Sequence, residues 1–252
     1  MTVHAAGGEV AGVVCRPPTH LLPEAERGRA PEIRQQRMDI GARNREEALE
    51  RVAIGDPATL WAQFEQMGHV VVGPALDNRA GVYAAVRALE LYAAQPGMAC
   101  LSVATTVREE TTFLGAKALA RRPVPDYLVV IDGDFASDYP GVEPHMTRGH
   151  FFLGGGPVLN RGAGGSEAMF DLARQTAESN DMAYQIKADP YNTNTDADES
   201  LALPRYGARS LGYAIRYAHS PYEAVSGADL EGLARFIAVL VTRLGEDPRA
   251  AD

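Results

Sequence analysis

Tyr127-Leu128-Val129-Val130-Ile131-Asp132-Gly133-Asp134 is the stretch whose reading decides the fold. Five uncharged, mostly β-branched or aromatic residues run without alternation. A strand built from them leaves neither face for water, which is the pattern of a strand covered on both sides in a largely parallel sheet. The run then stops at acidic residues, where a solvent-facing strand end is expected.

Outward from this strand, the chain alternates. Val70 to Val72 is a short strand leading to Asp77, and Arg79 to Ala94 has apolar positions at helical spacing (Val82, Val86, Leu89, Leu91). Met98 to Val107 reads as a strand and Phe113 to Arg121 as a helix. Ser166 to Glu178 is a helix capped by Ser166. Ala183 to Ile186 and Ser210 to Tyr217 are further strands, and Asp229 to Leu244 is an amphipathic helix with Leu230, Leu233, Ile237 and Leu240 on one face. This alternation predicts an α/β fold, a three-layer sheet with helices on both faces. Residues 1–73 read differently, as a small β-rich module. Val10 to Val14 and Met38 to Ile40 are its strand candidates, and a short helix follows Asn44, which caps it. The expected division is 1–73 and 74–252.

The bulk properties narrow the function. With 46% hydrophobic residues the chain can bury a sizeable core, and a formal charge of -9 argues against nucleic-acid binding. No run approaches the ~18 apolar residues of a membrane span, and the first residues carry no basic or apolar leader pattern, so a cytoplasmic protein is expected. Cys15 and Cys100 are expected to be two buried thiols.

The chemistry sits where strands are expected to end. Asp77 follows Val70–Val72, Glu109 and Glu110 follow Met98–Val107, Asp132 follows Tyr127–Ile131, and His219 follows Ser210–Tyr217. In open α/β sheets, ligands gather beyond the carboxyl ends of the strands. Carboxylates crowded there repel one another unless a cation neutralises them, and oxygen donors with one imidazole suit zinc, cobalt or manganese. Taken singly, each residue has a plainer reading: Asp77 as a turn or cap, Glu109-Glu110 as a solvated face, Asp132 with Asp134 and Asp138 as an acidic loop, and Arg216 paired with Glu223. Together they point to a metal-dependent hydrolase.

Several stretches resemble the M42 family of metallo-aminopeptidases, the glutamyl and tetrahedral (TET) aminopeptidase group. They are Ala75-Leu76-Asp77-Asn78-Arg79-Ala80-Gly81, Thr106-Val107-Arg108-Glu109-Glu110 with Gly115-Ala116, Ile131-Asp132 through Asp138-Tyr139-Pro140-Gly141, and Arg216-Tyr217-Ala218-His219-Ser220-Pro221-Tyr222-Glu223. Gly12-Val13-Val14, Pro17-Pro18, His20-Leu21-Leu22, Asp39-Ile40-Gly41-Ala42 and Gly55-Asp56 are similar to that family's inserted β-rich dimerisation domain, and Thr195-Asp196-Ala197 to a further element near its active site.

The resemblance implies an aminopeptidase that removes N-terminal residues from peptides through a metal-bridging hydroxide. It implies Asp77 as the carboxylate shared by two metals, Glu110 and His219 as ligands of one, Asp132 as a ligand of the other, and Glu109 as general base. Two divalent ions, zinc or cobalt, and a dimer-based homo-oligomer, up to a dodecamer, are expected with it. The family's early His-x-Asp motif has no counterpart here, so the second ion is expected to be lost or weakly held. His4, His20, His69, His145 and His150 lie outside any such motif, and His69 alone precedes the first catalytic strand. Glu110-Thr111-Thr112-Phe113 replaces a Gly-containing segment of the family, which would reshape the pocket. The rival expectation is a truncated or divergent homologue that folds or assembles without turnover. An amidase or deacylase using similar chemistry is a third.

Overall fold

The computed structural model describes residues 1–122, 125–163, 165–200 and 204–247. They form two compact units, Met1–Ala62 and Gln63–Asp252, so the division falls earlier than position 73. In the first unit, β1 (Thr2–Ala5) is the middle strand of a three-stranded antiparallel sheet, between β2 (Gly8–Ala11) and the later β5 (Ala58–Thr59). β3 (Val13–Cys15) pairs with β4 (Arg37–Asp39). The predicted short helix is α1 (Arg45–Arg51), and the Asn44 side chain accepts a hydrogen bond from the Glu47 N–H at 2.9 Å. That bond satisfies one of the donors left open at a helix start. Cys15 and Cys100 are exposed, against the expectation of buried thiols.

The second unit is built on a seven-stranded sheet. In chain order its elements are β6 (Glu65–Met67), β7 (Val70–Gly73), α2 (Leu76–Ala94), α3 (Glu109–Thr112), α4 (Leu114–Leu119), β8 (Tyr127–Phe135), β9 (Val158–Gly162), α5 (Glu167–Ser179), β10 (Gln185–Asp189), α6 (Ala197–Ser200), β11 (Gly207–Arg216), β12 (Glu223–Ser226) and α7 (Gly227–Gly245). The strands run β10-β9-β11-β12-β7-β6, with β8 paired in parallel along nearly all of β11. Leu159, Leu211, Tyr213 and Ile215 of the sheet bury against Phe170 of α5 and Leu233 and Phe236 of α7. Burying such side chains contributes roughly 1.5–3 kcal/mol each, so this layer supplies much of the stability. On other sheet positions Val158, Ala214 and Ala224 pack with Phe151 and Leu153.

Three expectations are corrected here. Residues 98–107 form no ladder among the described residues, although their composition is that of a strand. β propensity records how side chains fit a pleated surface, but a strand also needs a neighbour to bond. Asp132 does not end its strand: β8 continues to Phe135 and Asp132 lies inside it, opposite Gly212 of β11. A Cβ on Gly212 would fall 1.8 Å from an oxygen of Asp134, so this glycine makes room for a second acidic side chain within the sheet. Glu109 and Glu110, read as a strand end, occupy the first turn of α3.

Candidate metal centre

Asp77 follows β7 by four residues, in the non-helical start of α2. The bend there is held from three sides. The Asp77 N–H donates to Glu223 Oε2 at 2.9 Å, the Tyr213 hydroxyl donates to the Leu76 carbonyl at 2.9 Å, and the Asn78 amide donates to the Ile131 carbonyl of β8 at 2.7 Å. His219 lies in the loop between β11 and β12 with φ 61°, a left-handed conformation that costs a non-glycine residue roughly 1 kcal/mol. Its N–H donates to Glu223 Oε1 at 2.8 Å, and its ring stands edge-on to Phe135.

These elements bring three of the expected ligands together. One ligand atom each from Asp77, Glu110 and His219 lies within 4.8 Å of the other two. His219 Nε2 is 3.4 Å from Asp77 Oδ2 and 3.8 Å from Glu110 Oε2. Both spacings are below the ~4.2 Å that separates ligands across an ion with bonds of about 2.1 Å, so the donor set fits a zinc-like cation. Asp132 is buried and close enough to Asp77 for their carboxyl groups to share a hydrogen bond, and its own Oδ1 accepts from the Gly133 N–H at 2.8 Å. Glu109 is half-buried beside them.

The electrostatics agree with the geometry. Burial, followed by the Asp77 charge, pushes Asp132 up to about 8. Burial, then the charges of Glu110 and Glu223, raises Asp77. Burial, then Glu110, Asp196 and Asp77, pushes Glu109 up to about 7. Like-charged groups in a half-dry site hold protons unless a cation replaces them. The chemistry open to such a site is hydrolysis, with a divalent ion as Lewis acid and a neighbouring carboxylate as proton carrier.

Other predicted residues go elsewhere. Asp134 is not part of a solvated acidic loop: it is buried and bonds Lys187 Nζ at 2.7 Å. Asp138 takes both Arg216 Nε (2.7 Å) and Nη2 (2.6 Å). Arg216 therefore does not pair with Glu223, which instead accepts the Asp77 and His219 N–H groups. His69 precedes Val70, at the end of β7 remote from Asp77. Asp196 accepts a hydrogen bond from Thr106 and adds to the field at Glu109, near the centre as the resemblance implied. Glu223 and Tyr213 are not legible in the sequence, because Glu223 accepts backbone N–H groups and Tyr213 meets the Leu76 carbonyl and Asn78 far along the chain.

The layered sheet and its acidic, histidine-containing centre define a zinc-peptidase-like α/β scaffold. The chain belongs to the M42 glutamyl aminopeptidase family, whose profile matches residues 1–236. It is 28% identical to the lysyl aminopeptidase of Pyrococcus furiosus over 94% of this chain and 68% of that one. It is 29% identical to an Acetivibrio thermocellus chain assigned to the aminopeptidases, over 79% of this chain and 60% of the relative. Among solved structures it is similar to the TET aminopeptidase of a marine sediment archaeon (Thaumarchaeota): TM-score 0.84, 27% identity, 96% of this chain and 69% of that one. It is also similar to the Pyrococcus horikoshii TET1 peptidase, which assembles into a tetrahedron or a large octahedral shell: TM-score 0.80, 30% identity, 95% of this chain and 70% of that one. The chain thus spans three-fifths to seven-tenths of these relatives. No helix among the described residues is long and apolar enough to cross a membrane.

Proposed function

We propose that this chain is a metal-dependent aminopeptidase acting on peptides with free N-termini. The observation that carries the reading is the meeting of Asp77, Glu110 and His219, with Asp132 against Asp77 and Glu109 alongside. Asp77, Glu110, Asp132 and His219 would hold the cations, zinc or cobalt. Bound there, such ions polarise a scissile carbonyl and make water at the site more acidic.

The remaining steps fall to this chain's own side chains. Glu109, half-buried beside the proposed ligands, accepts a proton from the attacking water. It returns that proton to the departing amine nitrogen as the peptide bond breaks, which leaves Glu109 as it began. Homo-oligomeric assembly belongs to the same proposal, supported by the shells of the Pyrococcus horikoshii relative.

The test is hydrolysis of acidic and aliphatic aminoacyl-anilides with added zinc or cobalt, beside Glu109→Gln. Turnover in the native chain and its loss in Glu109→Gln, with metal content unchanged, is the expected result. A Glu109→Gln protein that has also lost its metal would remove Glu109 from the role of proton carrier. A native chain that binds metal but cleaves no anilide would favour a homologue without turnover.

A further inference from the structure

We infer that Glu223 is a positioning residue that fixes the backbones of two metal ligands at once, so that the affinity of the centre for its ions depends on a carboxylate outside the ligand set. The inference rests on the metallopeptidase reading above. Glu223 opens β12 directly opposite Gly73, the last residue of β7, and is only 3% exposed. Its two oxygens are divided between two chain segments: Oε2 accepts the Asp77 N–H at 2.9 Å and Oε1 accepts the His219 N–H at 2.8 Å. No cationic side chain lies within 4.0 Å of it among the described residues.

Both segments need such an anchor. Asp77 follows Ala75, whose φ is 49°, and His219 has φ 61° two residues after Tyr217 at 59°. Left-handed non-glycine residues are disfavoured in isolation, and persist where the surroundings over-determine them. Within the His219 loop the Ser220 N–H donates to the Tyr217 carbonyl at 3.2 Å and the Tyr222 N–H to Ser220 Oγ at 3.3 Å, and neither bond involves the His219 backbone. A carboxylate that accepts two backbone N–H groups makes stronger bonds than a neutral acceptor, and holds the two ligands in register without a metal. The amide of a glutamine in its place could offer an oxygen to one N–H, but would turn a second donor toward the other.

The experiment uses the full chain and four proteins: native, Glu223→Gln, Glu223→Asp and Asp229→Asn. Asp229 is the control, another buried carboxylate with two backbone donors, Gly154 N–H at 2.7 Å and Gly156 N–H at 2.9 Å, but none from a ligand. Cobalt and zinc dissociation constants come from calorimetric titration of the metal-stripped proteins, and the visible absorption of the cobalt forms reports ligand geometry. Glu223→Gln is expected to bind about 10- to 100-fold more weakly with a changed cobalt spectrum. Asp229→Asn should lose thermal stability with both readouts intact. Should Glu223→Gln fail to fold, Glu223→Asp, one methylene shorter and able to reach one amide, is judged by the same criteria. Native affinity and spectrum in the Glu223 variants overturn the inference, as does an equal loss in Asp229→Asn. A native chain that binds neither ion overturns the metal reading, and this inference with it.

Discussion

Gly81→Ala puts a better helix former into α2, and on propensity alone it should stabilise the protein by about 1 kcal/mol. The packing predicts the opposite sign. A Cβ at Gly81 would lie 2.0 Å from Asn78 Oδ1 and 3.2 Å from Ile131 Cγ2. Asn78 cannot simply swing aside. Its amide donates to the Ile131 carbonyl at 2.7 Å, and its oxygen, at 3.1 Å, shares the Tyr213 hydroxyl proton with the Leu76 carbonyl. Losing both bonds costs roughly 2 kcal/mol at about 1 kcal/mol each, and residual overpacking adds to it. After the propensity gain, a net loss of about 1–2 kcal/mol remains, or roughly 2–8 °C in Tm for a chain of this size. Because Asn78 adjoins Asp77, the same substitution should weaken zinc binding. The companion is Gly232→Ala in α7, where a Cβ meets nothing within 4 Å and the full propensity gain should be realised. Thermal and urea unfolding of both variants, with and without zinc, decide the matter. A Gly81→Ala protein as stable as native, or more so, would refute the reasoning.

Three further outcomes are expected. Zinc at about a hundredfold excess over its dissociation constant should stabilise the native fold by ~2.7 kcal/mol, and a chelator should reverse the gain; Asp77→Ala should abolish the effect in the same melting assay. Asp138→Asn should cost about 2 kcal/mol, less than a fully buried pair because the Arg216 side chain is 24% exposed. The cost should also depend on pH. Burial pushes the Asp138 carboxyl up, but the Arg216 guanidinium and the Leu153 N–H outweigh it and leave it below its usual range. A folded pKa below the unfolded one stabilises above about pH 4, and the stabilisation is lost as pH falls through the folded value. The gap in unfolding free energy between native and Asp138→Asn should therefore be full at pH 7 and shrink in acid; a gap constant down to pH 3 contradicts it.

What the sequence reveals of this fold is whatever is settled within a few residues. Asn44 and Ser166 are readable as caps because the donors they satisfy, on Glu47 and Met169, lie three residues on. Tyr127 to Ile131 is readable as a strand from its apolar, β-branched run, but not as one covered on both faces: these five residues are only half-buried, and among the described strands β8 pairs with β11 alone. Met98 to Val107 is misread since its composition says nothing about whether a partner strand exists. Asp132 is misplaced for a similar reason: the strand runs on through a second acidic residue, Asp134, whose side chain has room because Gly212 stands on the paired strand β11, far along the sequence. β12 went unseen because Glu223-Ala224-Val225-Ser226 is short and its first residue is a carboxylate, although all four are buried.

The pairing of Arg216 with Glu223 shows where sequence proximity misleads about the site. The two are separated by one tight loop, and opposite charges there invite the assumption of an ion pair. The register of β11 and β12 forbids it. Arg216 stands opposite Ala224 and Ile215 opposite Val225. Facing residues in an antiparallel pair point to the same side of the sheet and neighbours along a strand to opposite sides. Glu223, one position before Ala224, therefore points away from Arg216. One face sends the guanidinium to Asp138, and the other sends the carboxylate to the Asp77 and His219 amides. A one-residue offset in register thus separates a charge pair that braces the loop after β8 from the carboxylate that accepts the Asp77 and His219 amides, and lengthening the β11–β12 loop by one residue should disrupt both.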